Sequence, residues 1–277
     1  MILNYVAPNG QTINFINNPY FILSSADGLT ETQISIAATD IANGDGMIIN
    51  NVRAQPRGIV LYLLIPQGQN VEQVKRNVLT IVKPKQTGVL HWEYQERELD
   101  ISATVEEIKM ARYTQEAILQ ISLYCAEPYW QDAAYIVREL SLVDPLHHFE
   151  LIIPHTSGFV MGVYNLDLSK AFHNDGDAAV GCIITIIATG EVTNPLLERV
   201  DGKYFGVNVS MQAGDEVVIN TTKGHKSARK NDVNIMDKIK PGSTWFQLET
   251  GENIFNISED GGNANMYFTF SYKQKYV

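Results

Sequence analysis

Apolar and polar side chains alternate with a period of two through long stretches of this chain. Leu99, Ile101, Ala103 and Val105 interleave with Glu98, Asp100, Ser102 and Thr104, the pattern of a strand buried on one face. Ala117, Leu119, Ile121, Leu123 and Cys125 repeat it against Gln120 and Ser122. Residues 59–65 are apolar on both faces, which predicts a strand covered on both sides and therefore central in its sheet. The polar break at residues 109–115 predicts a hairpin. Residues 93–96 join a further strand, 89–94, ahead of it, so the three strands form a meander.

One segment has the helical period instead. From Asn70 onward, Val71, Val74, Val78, Ile81 and Val82 recur at spacings of three and four, which predicts an amphipathic helix over 70–83. Asn70 supplies an N-cap side chain with Gln73 three residues on, Lys83 complements the C-terminal dipole, and Pro84 stops the helix. Its valine stripe is expected to lie across an open face of the first sheet.

The texture changes near residue 130. Pro128, in Glu127-Pro-Tyr-Trp130, cannot donate to a ladder, and the segment 131–148 has no clean period. Beyond it come short strands only, expected at 149–154, 159–164, 168–172, 181–189, 204–211, 216–221, 253–257 and 266–272, with turn residues at almost every junction. That texture predicts a jelly-roll or galectin-like sandwich. The organisation expected is a domain over 1–130, a linker over 131–148 and a second domain over 149–277.

A chain of 277 residues is comfortable with two cores. Charge narrows the function classes: 21 Lys and Arg against 31 Asp and Glu leave a net charge of −10, the opposite of the cationic footprint that binding to nucleic-acid phosphates requires. No run approaches the length that spans a bilayer, and the N-terminus lacks the basic and apolar regions of a secretory signal. Cys125 and Cys182 have no Cys or His at ligand spacing and read as buried thiols of a reducing compartment.

The search for chemistry returns turns and solvated surfaces. No nucleophile elbow, phosphate loop, zinc-protease motif or dinucleotide fingerprint is present, and no pairing of carboxylates can be read among so many acids. His147, His148 and His155 lie near Asp144, but adjacent histidines on an extended segment point to opposite faces, against a shared metal. His173-Asn-Asp-Gly-Asp177 lacks the spacing and terminal Glu of a calcium loop and reads as a tight turn. Gly44-Asp-Gly46 reads as a loop tip between two strand-like segments. The cluster Lys223-Gly-His-Lys-Ser-Ala-Arg-Lys230 is a solvated hairpin or a contact for an acidic partner. Trp92, Trp130 and Trp245 read as core residues. No catalytic, cofactor or metal residue is assigned.

The order of these pieces resembles the distal tail proteins of long-tailed, non-contractile bacteriophages. In the first half the resemblance rests on Gly44-Asp-Gly46, Arg57-Gly-Ile-Val-Leu61, the helix with Lys75-Arg76-Asn77, Thr87-Gly-Val-Leu-His-Trp92 and Leu123-Tyr-Cys-Ala-Glu-Pro-Tyr-Trp130. In the second half it rests on Phe172-His-Asn-Asp-Gly-Asp177, residues 183–187, Thr193-Asn-Pro195, Ala213-Gly-Asp215, Val218-Ile-Asn-Thr-Thr222, Trp245-Phe-Gln-Leu248 and Gly251-Glu-Asn-Ile-Phe255. The sequence departs from the family's usual form at Gly202-Lys-Tyr-Phe205 and over 235–240. The resemblance implies a mostly β protein: an N-terminal β-sheet or split-barrel domain with one α-helix, then a galectin-like β-sandwich. It further implies a structural virion protein without enzymatic activity or cofactor, located at the phage tail tip and assembled in the host cytoplasm. That protein would form a hexameric ring joining the tail tube protein to the tail-tip hub and the receptor-binding or fibre proteins, around a channel for DNA. The alternative from another class is a carbohydrate-binding module contacting cell-wall glycan, with Trp245 and Tyr204 as the residues to test.

Overall fold

The period-two runs become antiparallel strands in a computed structural model that describes residues 1–42, 44–111, 117–140, 143–145, 162–164, 169–260 and 265–277. The chain divides into two units, Met1–Ala134 with Lys275–Val277, and Tyr135–Gln274.

In the first unit the strands are β1 (Ile2–Val6), β2 (Thr12–Asn14), β3 (Ile22–Asp27), β4 (Ile34–Asp40), β5 (Met47–Ala54), β6 (Arg57–Ile65), β7 (Thr87–Tyr94), β8 (Arg97–Ala111), β9 (Ala117–Cys125) and β10 (Trp130–Asp132). The helix α1 (Val71–Ile81) follows β6. A nine-stranded sheet runs in the order β2-β1-β7-β8-β9-β6-β3, with β10 and the C-terminal strand Lys275–Tyr276 attached beside β8. The meander is present as β7-β8-β9, and the loop 112–116 within it lies outside the described residues. A bulge between Val105 and Glu107 bends the long β8, whose first half pairs with β7 and whose second half pairs with β9. The curved sheet and α1 share one apolar cluster, including Leu3, Phe15, Leu61, Val74, Val78, Leu119 and Trp130.

Asn70 caps α1 as its sequence predicts, its Oδ1 accepting from the Gln73 backbone N–H at 3.1 Å. The helix ends at Ile81, earlier than 83, so no basic residue occupies its last turn, and Lys83 lies beyond the segment whose dipole it was expected to complement. Val82 still packs, fully buried. A second difference concerns 59–65. It forms β6, but β6 lies between β9 and the edge strand β3 and is covered on one face only: Ile59, Leu61, Leu63 and Ile65 are buried while Val60, Tyr62 and Leu64 are half-buried.

In the second unit the strands are β11 (Ile136–Leu140), β12 (Val143–Pro145), β13 (Gly162–Tyr164), β14 (Ser169–Asn174), β15 (Ile183–Ala188), β16 (Val192–Thr193), β17 (Leu196–Arg199), β18 (Tyr204–Gly206), β19 (Ser210–Met211), β20 (Glu216–Asn220), β21 (Ser227–Lys230), β22 (Val233–Asn234), β23 (Gly251–Ser258) and β24 (Met266–Tyr272). The C-terminal strand of the first unit is β25 (Lys275–Tyr276). A six-stranded sheet, β11-β24-β15-β20-β21-β22, faces a four-stranded one, β14-β23-β17-β18. Their inner faces meet through Phe172 and Phe255 on one side and Phe270 on the other, with ring centroids 4.7 and 5.3 Å apart.

Within 131–148, expected as a linker, β10 joins the first sheet and β11 runs along β24 from Ile136↔Tyr272 to Leu140↔Phe268. Residues 275–277 return to the first unit, where Trp130 pairs with Tyr276. The strand expected over 204–211 is two short ones, because at Val207 and Asn208 the backbone turns to residues 238–239 instead, the Asn208 N–H donating to the Lys238 carbonyl at 2.7 Å. The strand expected at 149–154 lies outside the described residues, as do 159–161 and 168 of two others.

Candidate functional site

Several of the described residues with potential for chemistry are engaged in structure. In the turn after β14, the Asn174 side chain accepts from the Gly176 N–H at 3.0 Å and donates to the carbonyls of Ala178 and Leu248. His173 and Asp175 form an exposed surface pair at 3.4 Å. Among the described residues no group of three or more His, Cys, Asp or Glu is arranged to hold a metal, and His147, His148 and His155 lie outside them. In the basic cluster, Lys230 pairs with Asp215 at 2.8 Å and donates to the Ser210 carbonyl, and Lys226 lies over the Trp245 ring. Asp215, which also accepts from Asn231 and the Gln212 N–H, is held well below the usual carboxylate range chiefly by Lys230. The two rings that glycan stacking would use are also occupied. Trp245 packs edge-on against Phe205 at 4.9 Å, and the Tyr204 hydroxyl donates to the Pro241 carbonyl at 2.6 Å beneath Lys240.

Burial pushes the Cys125 thiol up to about 11 and the Cys182 thiol to about 12. Thr221 closes the strand pair around Cys182, its hydroxyl accepting from the Cys182 N–H and donating to the Cys182 carbonyl. A raised thiol pKa suppresses the thiolate, and burial blocks access. Neither cysteine is therefore expected to react with a thiol reagent near neutral pH until denaturant is added. Labelling followed by mass spectrometry checks this, and rapid modification of the folded chain would refute it.

Part of the uncovered surface of the first unit is apolar. Strands β4 and β5 form a two-stranded hairpin outside both large sheets, with Gly46 at φ +98° in the tip that Gly44-Asp-Gly46 predicts. Ile34, Ile36, Met47, Ile48, Ile49 and Val52 are each more than half exposed. Register sorts them. Ile34↔Ala54, Ile36↔Val52, Ala38↔Ile49 and Asp40↔Met47 share one face, while Ser35↔Arg53, Ala37↔Asn51 and Thr39↔Ile48 share the other. The bulge at Asn50 makes this sorting possible. It sends Asn50 to the polar side, where its amide donates to Thr39 Oγ1 at 2.6 Å, and brings Ile49 and Met47 onto the face of Val52. The result is an apolar face that none of the described residues covers. An isolated two-stranded hairpin is at best marginally stable in water, and contiguous exposed apolar area marks an interaction surface.

The root of this arm is rigid. Arg57, the first residue of β6, is buried, and its guanidinium donates to the Pro128 carbonyl (2.7 Å), the Leu29 carbonyl (2.6 Å), the Gly28 carbonyl (3.4 Å) and Thr32 Oγ1 (2.6 Å). The Trp130 indole N–H donates to the same Leu29 carbonyl at 2.8 Å. Gly28, at φ +81°, lies so close to β6 that a Cβ would stand 2.0 Å from the Gly58 carbonyl oxygen. Residues 28–32 are thus clamped between the start of β6 and the turn after β9.

A second uncovered apolar area lies on the outer face of the large sheet. There Leu64 is paired with Ile22 and Ile118, Tyr62 and Val60 follow along β6, and Tyr124 lies beyond. Ile22, Ile118 and Tyr124 are exposed. Over β7 and the first half of β8 the same face turns polar, with His91 Nδ1 2.8 Å from Asp100. Apart from the loop tip, the sequence signal for these surfaces was the apolar character of both faces of 59–65. The burial of Arg57 carried no signal, since the burial of a single arginine cannot be seen in a sequence.

Residues 175–276 match the family model described as siphovirus-type tail component, C-terminal domain. The fold matches a crystal structure of the SPP1 Dit (gp 19.1) protein, described as a paradigm of the hub adsorption apparatus in Gram-positive infecting phages. The TM-score is 0.74 at 13% identity, covering 100% of this chain and 99% of that one. It also matches chains in two structures of the phage P2 baseplate in its activated conformation, with Ca at TM-score 0.52 and 12% identity and with Sr at 0.51 and 11%, each covering 100% of this chain and 99% of the other. At these identities the likeness is one of fold. No curated protein sequence matches the chain. The resemblance to phage distal tail proteins is thus met by a family match over most of the second unit and by a common, mostly β fold over the whole length.

Proposed function

We propose that this chain is a structural component of a siphophage tail tip, a distal tail protein that forms a hexameric ring between the tail tube and the host-adsorption apparatus. The observation that carries the reading is the full-length fold match to the SPP1 hub protein, with the second unit matching the tail-component family. In this reading the first unit builds the ring and the second lies on its outside, where hub and receptor-binding or fibre proteins attach. The protein acts by assembly, without catalysis. Uncovered apolar surface in the first unit supports the assignment of assembly to that unit, since a ring needs two different patches that meet head to tail and close on rotation. The net charge of −10 suits a ring that DNA traverses, because an anionic surface does not hold phosphates.

The purified chain is expected to give six-fold rings in negative-stain images and a hexamer mass by light scattering, with the hexamer fraction rising with concentration. A chain that stays monomeric throughout the accessible concentration range would overturn the reading.

A further inference from the structure

The first unit carries two apolar surfaces that its own described residues leave uncovered. One protrudes: the arm face of Ile34, Ile36, Ile49 and Val52. The other is a cluster on the outer face of the large sheet, where Ile22, Leu64 and Ile118 lie side by side across β3, β6 and β9 and Tyr62 and Val60 continue it along β6, flanked by Ser25, Asp27, Gln120 and Ser122. A strand apolar on both faces belongs between two layers, and β6 has only one. A second layer would complete the burial of Val60, Tyr62 and Leu64, which are half-buried in the single chain, and a β-hairpin with one apolar face is an element that can supply one. The apolar face takes about half of the arm's residues, so the arm supplies a part of the roughly 20–30 residues a side that a stable protein interface uses.

We propose that the apolar face of the β4–β5 arm of one copy docks on the outer face of β3, β6 and β9 of a second copy of this chain. Within the ring reading, on which this rests, that contact is the head-to-tail interface. The occupant is a second copy because the two surfaces are complementary in character and differ in position, so each copy offers one arm and one receiving face. The arm's clamped root favours this over a fold-back onto its own sheet: Arg57 and the close approach of Gly28 to Gly58 fix residues 28–32, from which the arm departs. A held root also leaves fewer residues to be ordered on docking.

Two full-length variants test the contact. In the arm variant, Ile36→Lys and Val52→Lys place charges on the apolar face; in the face variant, Ile22→Lys and Ile118→Lys do so on the receiving sheet. All four side chains are solvent-exposed, so the thermal transition of each variant is expected to stay within a few degrees of wild type. Each variant alone is expected to lose all species larger than a monomer by light scattering. An equimolar mixture is expected to stop at a dimer, because the face variant's intact arm meets the arm variant's intact face once, leaving only damaged surfaces. As a second measurement, Ile36→Cys and Ile118→Cys in one chain are expected to give disulfide-linked multimers on mild oxidation, against native cysteines that are both buried. Rings that persist in both lysine variants would overturn this proposal and leave the ring reading standing. A wild-type monomer at all concentrations would overturn both. An intramolecular disulfide between the two introduced cysteines, formed in a monomer, would place the arm on its own sheet and overturn the proposal.

Discussion

Replacing Arg57 by Met is expected to destabilise the first unit by about 3–5 kcal/mol, a large share of what a domain of this size possesses. The charge of the guanidinium is dispersed over three main-chain carbonyls and one hydroxyl, from segments separated from it by up to 71 positions in sequence. Burial lowers its pKa from the usual arginine value. Methionine fills much of the volume but donates nothing, so the Pro128 carbonyl and Thr32 hydroxyl lose this donor inside the protein. The Leu29 carbonyl keeps the Trp130 N–H. Lysine restores the charge but cannot fork, so it is expected to recover less than half of the loss. Denaturant titration read through Trp92 and Trp130 measures the effect, and a midpoint unchanged within error would refute it. Amide exchange over residues 28–32 is expected to quicken well before global unfolding, because those are the residues the fork holds.

The second large effect belongs to the other unit. Phe255 is fully buried, and its ring lies 5.3 Å from Phe270, 5.5 Å from Phe246 and 6.1 Å from Phe172. Phe255→Ala removes one side of this inter-sheet cluster and is expected to cost about 3–5 kcal/mol, most of it as an unfilled cavity. Phe255→Leu keeps part of the volume and is expected to cost about half as much. Trp245 reports this unit, so the transition it follows is expected to shift while the one followed by Trp92 and Trp130 does not. A shift of both together would mean that the two units unfold as one.

Elements governed by neighbours in sequence were the legible ones. The Asn70 cap, the valine stripe of α1, the meander from β7 to β9 and the Gly44-Asp-Gly46 tip each depend on periodicity or turn chemistry within a dozen residues, and each is where the pattern put it. The end of α1 was less so, because Val82 continues the apolar stripe and packs as if helical while its backbone is already extended. Pairings between distant segments could not be read. Nothing local in Lys275-Tyr276 announces a partner at Trp130, and nothing in 136–140 announces β24. The apolar character of 59–65 was correctly seen, yet its meaning depends on what covers the second face. Among the described residues of one chain nothing does, so a pattern that usually marks a central strand here marks an uncovered surface.

The pairing of β25 with β10 has a mechanical consequence. The chain leaves the first unit after Ala134 and re-enters it at Lys275, and Gln131↔Lys275 is the rung of the ladder nearest both passages. Tension on the second unit therefore loads this two-rung ladder from one end, opening it rung by rung as a zip rather than shearing it as a block. The Lys275–Glu127 ion pair, at 2.6 Å, gives way with the first rung. On the other passage β10 stays laced to β8 through Gln131↔Asp100 and Asp132↔Leu99. A pull on the second unit is thus expected to part β25 from β10 before β10 parts from β8.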